Sequence, residues 1–60
     1  MATFRIKQTA ESSTLLKDDA PIVVIEHSHV AAARHNVKMW LLNEAQERTA
    51  PGDVLELAES

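Results

Sequence analysis

The stretch PIVVIEHSHVAAARHNVKMWLLNEAQERTAPG, residues Pro21–Gly52, decides the fold. Its first part, Ile22-Val23-Val24-Ile25, is a short β-branched run, apolar on both sides of an extended chain. That pattern predicts a strand buried on both faces. Glu26-His27 marks its exit. From His29 to about Arg48, the residues Val30, Ala33, Val37, Trp40, Leu41 and Ala45 recur at helical spacing. Ala31-Ala32-Ala33 and Glu44-Ala45-Gln46-Glu47 are strong helix formers. Ser28 stands where a hydroxyl would cap the first turn. Glu44 and Arg48 make a favourable pair one turn apart. Ala50-Pro51-Gly52 ends the helix, with Pro-Gly suited to a type II turn. Twenty helical residues span about 30 Å, longer than any strand here, so the helix end is expected to overhang the sheet.

Upstream, Phe4, Ile6 and Gln8 alternate with Thr3, Arg5, Lys7 and Thr9. Period two predicts a half-buried strand with Arg5 and Lys7 toward water. Ala10–Ala20 has no clear period and reads as a loop, with Leu15-Leu16 resting on the edge of the core. The alternative is a longer hairpin that continues the first strand. Pro21 suits the start of a strand, where a missing N–H does little harm. Downstream, Leu55 and Leu57 alternate as in a strand. Val54, Leu57 and Ala58 also fit a short helix. The strand is preferred, because two strands beside one long helix leave a poor sheet.

The expected architecture is therefore α+β: a small ββαβ domain, a three-stranded sheet with one long helix packed on one face. The alternative is a two-stranded hairpin plus the long helix and a short C-terminal helix. The strands flanking the helix are expected to run parallel, joined by a right-handed crossover. The first strand would lie between them, antiparallel to both.

Sixty residues make one domain, 1–60. A chain this short buries only about 60% of its unfolded surface, so it is marginally stable and usually needs a staple. With no cysteine, disulfides and thiolate metal sites are excluded. Association with another chain needs only an apolar face, and a homodimer is the expected form. Apolar residues reach 45% of the chain, which argues against wholesale disorder. Phe4 and Trp40 are the only aromatics by composition, so the core is expected to be aliphatic with these two as bulky fillers.

No run approaches the ~20 apolar residues of a membrane span. The segment Met1–Lys7 lacks the apolar stretch of a secretory signal. Both point to a cytoplasmic protein with no membrane partner. The net charge is −3, and the negative charge gathers late. Glu44, Glu47, Asp53, Glu56 and Glu59 stand against Arg48 alone in residues 43–60. Such a chain has no general attraction for phosphate backbones.

Glu26-His27-Ser28 invites a hydrolase reading, but neighbours on a strand point to opposite faces, whereas a catalytic triad must converge. No Gly-x-Ser-x-Gly elbow is present. The chain reads as non-enzymatic, with no catalytic residues. His27, His29 and His35 are three imidazoles in nine residues. On a helix His29 and His35 would lie about 120° apart, matching no zinc spacing, so neither a metal nor another cofactor is expected. Arg34 and Lys38 sit one turn apart and, with Arg5 and Lys7, could contact phosphate. This is the basis of an alternative reading, a nucleic-acid-associated regulator. No base-stacking aromatic accompanies them.

The strongest functional signal is Met39-Trp40-Leu41-Leu42. Four consecutive large apolar residues on a helix cannot all face one core. Trp and Met are enriched at interfaces. These four residues are assigned to partner contact. In size and layout, the strand–Ser28–helix unit resembles many small phage and bacterial proteins, some of which inhibit host machinery. That resemblance covers about half the chain and assigns no residue a role. The expected function is a small protein–protein interaction module, a phage or bacterial accessory or inhibitor protein.

Overall fold

The computed structural model describes residues 1–59. It is α+β, with four strands and one helix. The elements are β1 (Thr3–Gln8), β2 (Ser12–Lys17), β3 (Ala20–Glu26), α1 (Ala31–Arg48) and β4 (Val54–Glu59). The sheet is mixed, in the order β3-β2-β1-β4. β1 to β3 form an antiparallel meander, and β4 adds to the far side of β1 in parallel.

Two expectations about topology are corrected. Ala10–Ala20 is no loop, because it contains β2. Its alternation is hidden, since the inward positions are Ser13 and Leu15 and only one of them is apolar. β1 does lie between the strands that flank the helix, but β2 separates it from β3, so of the two it pairs directly with β4 alone. As a result β1 runs parallel to both of those strands. Those strands, β3 and β4, are the two edges of the sheet.

The turns follow from their residues. Asp18 and Asp19 both adopt positive φ, 50° and 68°. Two successive left-handed residues make the tight link that matches the twist of a two-residue hairpin. Pro51-Gly52 forms the turn expected of it: Gly52 has φ 96° and the Asp53 N–H donates to the Ala50 carbonyl at 3.0 Å. A bulge between Leu15 and Leu16 shifts the β2–β3 register, so that Leu15 faces Val23 and Leu16 faces Pro21.

α1 lies on one face of the sheet, over β1 and β2. The fully buried apolar residues are Phe4, Ile6, Leu15, Leu41 and Ala45. Val23, Ile25, Val37, Leu42 and Leu55 pack around them. Leu15, read as an edge cap, is at the centre. Trp40, read as a core filler, is half-exposed, because the residues of α1 that reach the sheet are Val37, Leu41, Leu42 and Ala45. The aromatic filler is Phe4 alone, with the Lys17 ammonium 5.9 Å above its ring.

The run Ile22–Ile25 was expected to be buried on both faces, and it is not. β3 is an edge strand, and only its Val23 and Ile25 side meets the core. Val24 is 62% exposed on the opposite face, which no element covers among the described residues. α1 also begins later than expected. Its N-cap position is Val30, with no side-chain cap and no acidic residue in the first turn. Ser28 Oγ only accepts a long 3.4 Å bond from the Val30 N–H.

Candidate functional site

The segment Met39–Leu42 divides on folding. Leu41 is wholly buried and Leu42 half-buried against the sheet. Both are core residues and present little to a partner. Met39 and Trp40 are 51% and 49% exposed. They lie on either side of the outward ridge of α1, since consecutive helical residues are about 100° apart. Of the four residues, Met39 and Trp40 are therefore the ones that leave apolar surface in water. Half-exposed apolar residues also occur on β4, at Val54 and Leu57, and on β3, at Ile22 and Val24.

The basic residues do not form one stripe. Arg5 lies at the middle of the open sheet face, held by Glu56 at 3.1 Å and Asp19 at 3.3 Å. Lys7 follows on the same face. Arg34 and Lys38 are on the helix side of the sheet, where with Gln8, Ala31 and His35 they line a shallow groove of about 170 Å³. The sheet thus separates Arg5 and Lys7 from Arg34 and Lys38. Within Arg34, Nε is buried and has no hydrogen-bond partner among the described residues.

The histidines also separate. His29 precedes the helix and His35 is on it, so the helical angle between them does not apply. Among the described residues no group of three or more His, Cys, Asp or Glu converges as ligands. A cleft of about 470 Å³ opens beside His27 and His29, lined also by Thr9, Glu11, Ser12, Glu26 and Ser28.

His27 makes contacts that sequence spacing did not suggest. Its Nε2 is 2.8 Å from Ser13 Oγ, and its Nδ1 is 2.8 Å from the Ser28 carbonyl oxygen. Ser13 Oγ also accepts a 3.0 Å bond from Gln8 Nε2, which in turn donates to the Arg34 carbonyl at 3.0 Å. A hydroxyl on an imidazole held from behind has the connectivity of a nucleophile and its base. Ser13, however, is sealed between sheet and helix with no exposed surface. No substrate reaches it in this conformation, so the arrangement acts as a structural polar chain. The only sequence trace of it was two polar residues, Gln8 and Ser13, at inward positions of their strands.

Comparison with family models, curated proteins and solved structures finds no match. Among the described residues, no helix is long and apolar enough to cross a membrane.

Proposed function

We propose that this chain is a small protein-binding module that uses the outer surface of α1, and that its first partner is a second copy of itself. The observation that carries this reading is the half-exposed Trp40 on a helix whose sheet-facing side is already filled. About 100 Å² of indole surface is left in water. Its burial in an interface is worth about 2 kcal/mol. Met39, at the opposite flank of the same ridge, widens the contact. The small buried core adds a motive, since a domain this small gains stability from any face it covers.

Protein rather than nucleic acid is favoured by charge. Arg5 is engaged by two carboxylates, and the net charge of −3 gives no attraction to phosphate.

Light scattering over a range of concentrations tests the proposal. The expected result is a mass that rises toward 13 kDa, about twice the chain's 6.6 kDa. Trp40→Ala should return it to the monomer and remove the rise of melting temperature with protein concentration, whereas Lys7→Ala should do neither. A monomer at every concentration would overturn the homodimer, and a dimer indifferent to Trp40→Ala and Met39→Ala would overturn the surface.

A further inference from the structure

We propose that Gln8, Ser13 and His27 form a polar latch that holds the N-terminal half of α1 on the sheet, making that half a segment that opens separately from the rest of the helix. The two halves of α1 are attached by different means. Its fully buried residues, Leu41 and Ala45, both belong to the C-terminal half. In the N-terminal half Ala33, Arg34 and Val37 are only partly buried. No side chain caps the first turn, and no carboxylate there opposes the helix dipole.

What secures this half is the polar chain. The Gln8 amide nitrogen has two hydrogens, one for the Arg34 carbonyl and one for Ser13 Oγ. With that lone pair occupied, the Ser13 hydroxyl hydrogen is free to point at His27 Nε2. The Ser28 carbonyl can only accept, so in the neutral imidazole the hydrogen sits on Nδ1. Every donor in the chain then has an acceptor. β1, β2, the β3–α1 link and α1 are joined by one run of directed bonds. Glu11, Glu26 and His29 share the cleft beside His27, and Arg34, whose carbonyl ends the chain, has a buried Nε with no hydrogen-bond partner among the described residues.

A buried polar chain adds little net stability but is costly to leave half-made. It therefore opens as a unit. Lifting the first two turns of α1 together with the β3–α1 link breaks the Gln8–Arg34 and Ser13–His27 bonds at once and leaves the Leu41 and Ala45 contacts in place. Openings of this kind appear as segments that exchange backbone hydrogens below the global threshold.

Native-state amide hydrogen exchange on the full chain, read by NMR at rising low urea, tests the latch. In the wild type, amides of His35–Lys38 should exchange at least tenfold faster than those of Leu41–Ala45 and respond only weakly to urea. His27→Ala, at the rim of the cleft, should speed both sets by a similar factor of at least three, because the latch is lost in both openings. Leu55→Val should speed only Leu41–Ala45. A single protection and urea response along the whole helix would overturn the proposal. So would a His27→Ala variant that leaves His35–Lys38 unchanged. Ser13→Ala supplies the same reading should His27→Ala not fold.

Discussion

Asp53 shows how much one partly buried side chain can organise. Its Oδ2 accepts the Ala50 N–H at 2.8 Å, and its Oδ1 accepts the Ala2 N–H at 2.8 Å. One carboxylate thus closes the helix-to-β4 turn and ties down the chain start. The Ala50 bond, then the Ala2 bond, hold its carboxyl below the ordinary value of 3.8. A depressed folded-state pKa contributes stability above the unfolded value, and this is lost as pH falls through the folded one. Melting temperature should thus drop below about pH 4 as Asp53 takes up its proton. Asp53→Asn should melt lower at pH 7 and show a flatter acid limb. Thermal scans from pH 7 to pH 2 check this, and an Asn variant as stable as the wild type at pH 7 would show that the two bonds are idle. At the same turn, Gly52→Ala should cost about 1–2 kcal/mol in a denaturant titration, because φ 96° strains any Cβ. The space around that Cβ is open, so backbone strain is the whole of the cost.

At the scale of elements, the decisive one is β2. Leu15 sits at its centre with no exposed surface, opposite Ile6 on one side and Val23 on the other. Leu15→Ala should cost about 2–5 kcal/mol, comparable to the whole stability of a domain of this size. Circular dichroism should find that variant largely unfolded at 25 °C, whereas Leu16→Ala on the open face should remain folded. The sequence hid this strand. Phe4, Ile6 and Gln8 reveal β1 by alternation, and Leu55 and Leu57 reveal β4. In β2 the inward row begins with a serine, and the outward row holds Leu16, so the two faces look alike. The chemistry that distinguishes them, the hydroxyl of Ser13 between Gln8 and His27, is made only when three strands and a helix come together. The helix itself was legible from its propensities. Which side of it is wet was not, because Met39–Leu42 is apolar all round and only the sheet's position selects Leu41 for burial. Ile22–Ile25 misled for a related reason. Its outer face looks like core, but among the described residues no second layer covers it.

At the scale of the whole molecule, a single helix over a four-stranded sheet leaves one sheet face and two edges open. The edges differ. β3 carries Pro21 and the bulge opposite Leu15/Leu16, both of which blunt strand-to-strand pairing. β4 pairs with β1 in unbroken register from Val54 to Glu59 and has neither device. Non-specific association should therefore begin at β4 rather than β3. Leu57→Lys should raise the concentration at which the chain aggregates on heating, while Val24→Lys should change it less; turbidity against temperature measures this.

The parallel pairing of β1 with β4 joins the third residue to the fifty-fourth. During synthesis, β1, β2 and β3 can zip into a meander as soon as they emerge, because each neighbour is only a short turn away. The outer rim of β1 must then wait for the entire helix and one more turn to be made. For that interval β1 is itself an edge, with β2 on one side and its other rim unpaired. The chain's exposure to mispairing is thus set by the order in which its segments become available, and it ends only when β4 is free to pair.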